Sequence, residues 1–547
     1  MKRSHNIGVV LVVGLALVAA AGARACTSIL VSKKASEDGS AVITYSCDGE
    51  FLPHLEYTPA ADHEPGDSVD ITDWHGNLRG RVAEVAHTYA VVDLMNEHQL
   101  AIGETTTTGR EELANPQGLL GYWDLMALAL QRAKTAREAI DVMTGLAEEY
   151  GYRSTGESFS IADPDEVWLM EMVGPGEGGE GAIWVALRVP EGYISCYANK
   201  MRIGDFPRHD RENCLYSDNV VSFAVEKGYY DPASGKPFSF RDAYGPDTPE
   251  NLRYCSARVW SIFRRTAPSQ DFSADYNRGV AGAEPYPLWI KPDHRLSLAD
   301  VMGLMRDHYE GTPYDMTKGI DAGPFGNPSR WRPIGWSVDS VDYAWERSIS
   351  TQQTGFSIVA QCRSSLPDAI GGVLWYGVDD TYTTCYTPLY CSIDSLPPSY
   401  TRGSLQEFSW DSAWWIFNLV SNYACLKYCY MGPEILAVQR ELEGGFLSLQ
   451  PAVEATAVKL AREDPDLLRQ YLTDYSVSQA EMVVDRWQAL AGYLITKYND
   501  GYVKDADGRP QDAGYPEGWL REVLRARPDD FRLRPVDESA SDGKMVK

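Results

Sequence analysis

Residues 23–31, Ala23-Arg24-Ala25-Cys26-Thr27-Ser28-Ile29-Leu30-Val31, mark the point where a leader gives way to a strand. Ahead of them, Met1-Lys2-Arg3 is basic and residues 7–22 are almost wholly apolar. Small residues at positions 23 and 25 complete an A-x-A pattern, which is typical of the end of a secretory signal peptide. We therefore expect residues 1–25 to be removed during export, so that the processed chain begins at Cys26.

The processed chain is expected to be secreted or periplasmic. The apolar run of residues 7–22 is shorter than the roughly 20 residues that span a bilayer, and no other stretch approaches that length. Losing three basic residues with the leader lowers Lys+Arg from 50 to 47 against 77 Asp+Glu, a formal charge of −30. Because such a surface repels phosphate backbones, we expect no nucleic-acid partner. Because the apolar run is short, we expect no membrane span.

An N-terminal Cys26 is compatible with two kinds of chemistry. Lipid attachment would make the chain a lipid-anchored binding protein, but Ala23 and Arg24 fit a lipobox poorly. Alternatively, cleavage frees an α-amine with a pKa of about 8, which can act as the base for the thiol of the same residue. A structural disulfide is a third possibility for Cys26, and the lipid-anchored alternative stays open.

The other cysteines give a weak argument for a special role of Cys26. The chain has ten cysteines, so setting Cys26 aside leaves nine. An odd number means that at least one more thiol is free or pairs outside the chain. Cys385 and Cys391 flank a Thr-Pro turn and are the first pair to test for a disulfide.

Hydrophobic periodicity and turn signals predict an α+β protein. Helical patterns include a capping box, Thr135-x-x-Glu138, and cover residues 122–132, 135–150, 252–265, 297–308, 410–430 and, as two helices, 450–499. Strand patterns cover residues 27–32, 41–46, 90–93, 100–104, 158–161, 167–173, 183–189, 193–198, 355–361 and 373–378. The close spacing of the strands implies antiparallel neighbours, so we expect an antiparallel sheet pair between helices. The last residues, about 525–547, are polar and are expected to fray.

Patterns for other chemistries are missing from the sequence. No two of the nine histidines lie within four residues of each other, and there is no C-x-x-C, H-E-x-x-H, G-x-S-x-G or P-loop. One G-x-G-x-x-G match begins at Gly174, but Glu177 and Glu180 would repel a pyrophosphate and strand patterns flank it, which predicts a hairpin loop. We therefore expect neither a metal ion nor a cofactor.

Several ordered motifs together resemble a known family. They are Cys26-Thr27-Ser28-Ile29-Leu30-Val31, Asp38-Gly39-Ser40, Met95-Asn96-Glu97, Ile102-Gly103-Glu104-Thr105-Thr106, Gly109-Arg110-Glu111-Glu112-Leu113, Ala133-Lys134-Thr135-Ala136-Arg137-Glu138-Ala139, Tyr197-Ala198-Asn199, Arg258-Val259-Trp260 and Trp414-Trp415-Ile416-Phe417-Asn418. In this order they resemble the cysteine dipeptidase family of N-terminal nucleophile (Ntn) hydrolases. The resemblance covers residues 26 to about 503.

The resemblance implies both a fold and an activity. The fold would be an Ntn-hydrolase αββα sandwich of antiparallel sheets with a helical C-terminal elaboration, formed by residues 26–503 and followed by an extension over residues 504–547. The activity would be that of a secreted cysteine-type dipeptidase, which hydrolyses dipeptides through an acyl-enzyme. Whether the chain forms a homo-oligomer stays open. An Ntn amidase or acylase acting on non-peptide amides, of the bile salt hydrolase or penicillin V acylase type, is the alternative.

The resemblance also implies roles for individual residues. Cys26 would be the nucleophile, and Asp48 would orient its amine or thiol. Asn96, through its backbone N–H, and Asn199, through its side chain, would resemble oxyanion donors, which stabilise a developing negative charge. Arg258 would match the arginine that organises the site.

One position departs from the family pattern. Many relatives have an arginine three residues before the aspartate, whereas this chain has Tyr45 before Asp48. A tyrosine carries no fixed positive charge, so thiolate stabilisation or substrate binding must differ here. Tyr45 and Glu104 are therefore candidate substrate-binding residues, with Glu104 and Asp48 proposed for a substrate ammonium on charge alone.

Overall fold

The computed structural model describes residues 26–107 and 109–533. The expected leader, residues 1–25, and the last part of the expected tail, residues 534–547, lie outside the described residues. The strands are β1 (Ser28–Val31), β2 (Ala41–Asp48), β3 (Tyr57–Thr58), β4 (Ala61–Asp62), β5 (Ser68–Thr72), β6 (Leu78–Ala83), β7 (His87–Thr88), β8 (Val91–Val92), β9 (Met95–Asn96), β10 (Ala101–Thr106), β11 (Gly156–Ala162), β12 (Val167–Val173), β13 (Ile183–Arg188), β14 (Ile194–Tyr197), β15 (Cys214–Tyr216), β16 (Trp289–Ile290), β17 (Gly335–Val338), β18 (Val341–Ala344), β19 (Thr354–Cys362), β20 (Val373–Val378), β21 (Thr387–Tyr390), β22 (Val503–Lys504) and β23 (Pro510–Gln511).

Helices alternate with blocks of strands along the chain. They are α1 (Tyr122–Arg132), α2 (Ala136–Tyr150), α3 (Ser222–Glu226), α4 (Phe240–Tyr244), α5 (Pro249–Asn251), α6 (Ala257–Thr266), α7 (Leu298–Leu304), α8 (Asp368–Gly371), α9 (Ala413–Ala424), α10 (Tyr428–Glu463), α11 (Pro465–Lys497) and α12 (Glu517–Ala526). The predicted capping box is present, because the Thr135 hydroxyl accepts a hydrogen bond from the backbone N–H of Glu138 at the start of α2. The α+β class predicted from the sequence is confirmed.

Two antiparallel sheets form the centre of the molecule. The first has the strand order β16-β14-β1-β2-β19-β20-β21, and the second has the order β15-β13-β12-β11-β10-β9-β8-β3. Strands β1 and β2 contact β10, β11 and β12, so the two sheets pack face to face. Gly103 on β10 marks the closest approach, because a Cβ at that position would lie 3.0 Å from the Cβ of Tyr45 on β2.

Helices cover the outer faces of both sheets. Helices α1 and α2 contact β10 and β11 of the second sheet, and α9 and α11 contact β20 and β21 of the first. The aromatic rings of Phe417 and Trp487 stack between α9 and α11 with centroids 4.6 Å apart. Because both faces are covered, β2, β11, β12 and β19 are buried along almost their whole length.

The C-terminal helices differ from the sequence prediction. The helical run predicted over residues 410–430 ends at Ala424, and the first of the two later helices begins at Tyr428 instead of about residue 450. Pro433 and Pro451 lie inside α10 and argue locally against one continuous helix. Packing of α10 along α11 outweighs that local cost. None of the helices in the described part of the chain combines the length and apolar character that crossing a bilayer requires.

Beyond residue 503 the chain continues as the ribbon β22–β23 and helix α12. No residue of α12 is buried. The proposed boundary between residues 503 and 504 stays a prediction.

Candidate active site

Cys26 lies at the start of the central strand pair of the first sheet. It lies two residues before Ser28, the first residue of β1, which pairs with β14 on one side and β2 on the other. Its side chain is buried, with 4% of the residue exposed. The residue that the sequence singled out therefore opens a strand at one end of the space between the two sheets.

Cys26 lines a cleft that is open to solvent. The lining residues are Cys26, Tyr45, Cys47, Asp48, Gly49, Phe51, Pro53, His54, Glu56, Trp74, Asp93, Glu104, Thr106, Tyr122, Trp123 and Phe356. Within the described part of the chain, this lining contains four carboxylates, several aromatic rings and no Lys or Arg. The cleft therefore favours small ligands that carry positive charge beside apolar groups.

Arg258 holds the backbone around Cys26. Its guanidinium donates five hydrogen bonds, to Tyr254 O (2.7 Å), Cys26 O (2.5 Å), Thr27 Oγ1 (2.8 Å), Ala198 O (3.3 Å) and Asn199 Oδ1 (3.0 Å). Arg258 is fully buried on α6, so these bonds are not exchanged with bulk water. This side chain connects β1, the end of β14 and α6 in one network.

Asn199 is fixed next to the same network. It has a left-handed backbone with φ of 55°, which asparagine tolerates better than most residues. Its Oδ1 faces Arg258, and its Nδ2 donates to the carbonyl of Thr106 at 2.8 Å. These two partners define the amide orientation, with the nitrogen directed towards the end of β10.

Asp48 forms a buried ion pair at the end of β2. Its Oδ2 accepts a hydrogen bond from Arg347 Nη2 at 2.5 Å, and its Oδ1 accepts one from Thr354 Oγ1 at 2.6 Å. Burial raises the pKa of Asp48, and Arg347 and Thr354 oppose that rise. Asp48 lines the cleft together with Cys26.

Tyr45 and Glu104 form a buried pair across the two sheets. The Tyr45 hydroxyl donates to Glu104 Oε1 at 2.5 Å, joining β2 to β10. Both residues line the cleft. The tyrosine that replaces the family arginine therefore holds a carboxylate by hydrogen bonding, without adding a positive charge.

The thiol of Cys26 is held in its neutral form in this environment. A hydrogen bond with the Cys47 side chain, followed by burial and the nearby carboxylates of Glu104 and Asp48, raises its pKa well above the usual range. A thiolate is the reactive form of cysteine. The surroundings of Cys26 therefore disfavour the thiolate of this residue.

Asn96 is placed apart from the other candidates. Its backbone N–H donates to the carbonyl of Leu100, and its Nδ2 donates to the carbonyls of Leu130 and Ala133. It does not belong to the cleft lining. The backbone N–H of Asn96 closes a turn, and the expected role of Asn96 as an oxyanion donor stays a prediction.

Three residues at or next to the cleft have no role assigned from the sequence. In β10, Ile102 N–H donates towards β9 and Thr107 N–H donates to Gly156 O beside β11. The direction of the backbone N–H alternates along a strand, so the Thr106 N–H points to the same side as the Ile102 N–H, towards β9. Strand β9 ends before it reaches the level of Thr106. Thr106 lines the cleft, and counting strand parity from Ile102 would have found it. Arg347 and Thr354 carry no local signal, because each lies about 300 residues from Asp48.

Metal and disulfide chemistry find no support in the geometry. Across residues 26–107 and 109–533, no group of three or more His, Cys, Asp or Glu side chains is arranged to hold a metal ion. All ten cysteines lie in these ranges and all are free. The suggested pair Cys385 and Cys391 is therefore not bonded, and Cys391 Sγ instead donates to the carbonyl of Asp368 at 3.2 Å.

Comparison with known proteins assigns this site to a family. The model of peptidase family C69 matches residues 25–441, which begins one residue before Cys26. The chain belongs to peptidase family C69. This C69 peptidase is therefore a hydrolase of the cysteine type.

Individual relatives of this C69 peptidase extend the match. It is 28% identical to a probable dipeptidase of Salmonella dublin over 406 residues, 70% of this chain and 84% of the relative. It is 24% identical to a probable dipeptidase of Latilactobacillus sakei over 502 residues, 84% of this chain and 98% of the relative. It is 25% identical to dipeptidase A of Lactobacillus helveticus over 432 residues, 74% of this chain and 83% of the relative.

Proposed function

We propose that this protein is a secreted dipeptidase in which Cys26, freed as the N-terminal residue, attacks the peptide bond. The observation that carries the proposal is the position of Cys26, which directly follows a cleavage pattern and lines the acidic, aromatic cleft. The names of the relatives support dipeptides as substrates. The family match that begins at residue 25 supports a mature chain starting at Cys26.

The fold is proposed to be the αββα sandwich of the Ntn hydrolases. Two antiparallel sheets that pack face to face, with helices on each outer face, support this assignment. A nucleophile at the start of a central strand supports it as well.

Release of residues 1–25 is proposed to activate the thiol. In the uncleaved chain the Cys26 nitrogen is a neutral amide, and the raised pKa keeps the thiol protonated. Cleavage replaces that amide by an amine with a pKa of about 8, which can take the thiol proton and become an ammonium. An ammonium beside the sulfur lowers the thiol pKa, so the precursor is inactive and the processed enzyme is active.

The reaction then proceeds through an acyl-enzyme. The Cys26 thiolate attacks the dipeptide carbonyl, and a tetrahedral oxyanion forms. When the carbon–nitrogen bond breaks, the Cys26 ammonium gives its proton to the leaving amine, and the N-terminal residue of the substrate stays on sulfur as a thioester. Water, deprotonated by the Cys26 amine, hydrolyses the thioester, releases the N-terminal amino acid and returns the thiol of Cys26.

Oxyanion stabilisation is assigned to two donors near Cys26. They are the side-chain amide of Asn199 and the backbone N–H of Thr106. The amide is held beside Thr106 by the 2.8 Å hydrogen bond that Asn199 Nδ2 donates to the Thr106 carbonyl. Arg258 positions Asn199 and the Cys26 carbonyl, and Asp48 with Arg347 fixes the end of β2. Preorganised donors of this kind are worth several kcal/mol in a transition state.

The cleft supports selection of a substrate with a free ammonium. Glu104 lines the cleft and raises the pKa of the Cys26 thiol through its charge, so the carboxylate acts at the reacting sulfur. An ammonium at the substrate N-terminus can pair with this carboxylate. A ligand lacking that charge cannot form this ion pair and gains less from binding in the acidic cleft.

A substrate panel tests the proposed activity. Purified protein is offered a dipeptide, its N-acetyl derivative, the corresponding tripeptide, a conjugated bile acid and penicillin V. We expect hydrolysis of the dipeptide and a kcat/KM lower by about 100-fold or more for the N-acetyl derivative, because an ion pair is lost. Preferential hydrolysis of the bile acid or penicillin V would contradict the dipeptidase assignment and support the acylase alternative.

Variants of Cys26 test the nucleophile in the same assay. Cys26→Ala and Cys26→Ser are expected to lose dipeptide hydrolysis, whereas Cys429→Ser, at an exposed cysteine, retains it. Wild-type rates in Cys26→Ala would refute the mechanism.

Export is tested by the intact mass of the protein recovered outside the cytoplasm. The proposal requires a chain that begins with an unmodified Cys26. A chain that keeps residues 1–25 would contradict it, and a diacylglyceryl group on Cys26 would support the lipid-anchored alternative.

A further inference from the structure

A second cysteine lies directly across from Cys26. Strands β1 and β2 pair antiparallel with Leu30 opposite Ile43, and the pairing continues to a bridge between Thr27 and Ser46. Extending this register by one residue beyond that bridge places Cys26 opposite Cys47. This juxtaposition follows from strand pairing and does not depend on side-chain rotamers.

The pairing type brings the two thiols together. Ser46 N–H donates to the carbonyl of Thr27 at 3.0 Å, and Thr27 N–H donates to Ser46 Oγ at 3.1 Å, so Thr27 and Ser46 take the place of a hydrogen-bonded pair in which a side chain accepts one of the two bonds. The next pair along, Cys26 and Cys47, is then a non-hydrogen-bonded pair, in which Cα atoms are about 4.5 Å apart and side chains share a face. A disulfide requires a Cα separation of about 4.4–6.8 Å. The backbone therefore permits a bond between these residues without a large movement.

The two cysteines also line the same cleft. The Cys47 side chain is the first cause of the raised pKa of the Cys26 thiol, so the two side chains are near neighbours. Cys47 is partly exposed, whereas Cys26 is buried. A small reagent that enters the cleft can therefore meet a reactive sulfur with a second thiol already in contact.

We propose that Cys47 is a resolving cysteine, which converts Cys26 into a reversible intramolecular disulfide when a small organic disulfide enters the cleft. The loss of activity that follows rests on the proposed function of Cys26, whereas the disulfide itself does not. The chemistry is thiol–disulfide exchange, and the oxidant is the small disulfide.

The exchange occurs in two balanced steps. The Cys26 thiolate attacks one sulfur of the small disulfide RS–SR, so that a Cys26–SR bond forms, the RS–SR bond breaks, and RS⁻ leaves and takes up the proton lost by Cys26. The Cys47 thiolate then attacks the Cys26 sulfur, the Cys26–SR bond breaks, and a second RS⁻ leaves with the Cys47 proton. The two cysteines lose two electrons, and the small disulfide becomes two RSH molecules.

A disulfide between Cys26 and Cys47 would inactivate Cys26 and would also protect its sulfur from further oxidation. An isolated reactive thiolate can be oxidised to sulfinic and sulfonic acids, which are not readily reversed. A disulfide with Cys47 is reduced by thiols, so the enzyme can recover when reducing conditions return.

The experiment treats the full chain, expressed with its own leader, with hydroxyethyl disulfide and follows mass and dipeptide hydrolysis together. Wild-type protein is expected to lose the mass of two hydrogen atoms, to yield a cross-linked peptide containing Cys26 and Cys47, and to lose most of its activity until dithiothreitol is added. Cys47→Ser is expected to retain a hydroxyethylthio adduct on Cys26 instead. Cys425→Ser, at a half-buried cysteine that does not line the cleft, is expected to behave like wild type.

The outcomes separate the two proposals. A stable adduct on Cys26 of the wild type without the cross-linked peptide would overturn the role of Cys47, and so would an unreacted chain. A cross-linked peptide in a protein that never hydrolysed dipeptides would support the disulfide and contradict the proposed function.

Discussion

Substitution of Arg258 by lysine tests whether the buried network around Cys26 positions the reacting groups. The guanidinium donates five hydrogen bonds to groups on β1, the end of β14 and α6. A lysine ammonium has only three donors on one atom, so Arg258→Lys leaves at least two acceptors without this partner. Hydrogen bonds to a charged group contribute roughly 1.5–3 kcal/mol each, so the free energy of unfolding should fall by about 3–6 kcal/mol.

The same variant should lose catalytic rate more than substrate affinity. Arg258 contacts the carbonyl of Cys26 and Oδ1 of Asn199, and a displacement of about 1 Å in such groups costs about 100-fold in rate. We therefore expect kcat for dipeptides to fall about 100-fold with KM changed less than about threefold, since the positioned groups act mainly in the transition state. Urea unfolding followed by circular dichroism and steady-state kinetics measure the two effects.

A matched control lies on the same helix. Arg264 is partly exposed and is 3.6 Å from the carboxylate of Asp307, so Arg264→Lys should change the free energy of unfolding by less than about 1 kcal/mol and leave kcat unchanged. Wild-type stability and kcat in Arg258→Lys would refute the positioning argument. A loss confined to KM would refute it as well, because the network would then act on substrate binding.

Three further predictions follow from single contacts. Asn199→Asp keeps the acceptor for Arg258 but removes the amide donor, so kcat should fall about 100- to 1,000-fold in steady-state assays, and a kcat within twofold of wild type would exclude Asn199 as an oxyanion donor. Tyr45→Phe removes the 2.5 Å hydrogen bond to Glu104, so urea unfolding should show a loss of about 1–3 kcal/mol, while Tyr502→Phe at an exposed tyrosine should show none. Burial raises the pKa of Asp379 to about 7, whereas an unfolded Asp titrates near 3.9. The folded state therefore holds this proton more tightly, and the free energy of unfolding should fall by up to about 4 kcal/mol as pH rises from about 4 to about 7. Asp379→Asn, which also tolerates the left-handed backbone there, should abolish this part of the pH dependence, and an unchanged slope in urea titrations would contradict the assignment.

Much of the fold was predictable from local signals. Helix α1 has the predicted bounds, and α2 begins at the predicted cap, because a capping box and an apolar stripe are both local features. Strand β12 matches its predicted range of residues 167–173 for a similar reason, since turn residues flank a continuous apolar run. The long helix α10 was missed in part, because two internal prolines hide a helix that tertiary packing maintains.

The site was less predictable than the fold. Cys26 was accessible from the sequence, because the cleavage pattern identifies it directly. Arg347 was not, because its contact with Asp48 joins residues that are 299 positions apart. Asn96 was recognisable from its motif, but its backbone N–H closes a turn, whereas Thr106 on the neighbouring strand β10 lines the cleft.

The central claim is that the freed α-amine of Cys26 is part of the catalytic machinery. It is tested most directly by the rate of dipeptide hydrolysis of two otherwise identical chains, one beginning at Cys26 and one keeping a single uncleaved alanine at position 25. We expect hydrolysis by the first and a kcat lower by at least about 100-fold in the second, because an amide nitrogen cannot take the thiol proton. Equal rates from the two chains would contradict it.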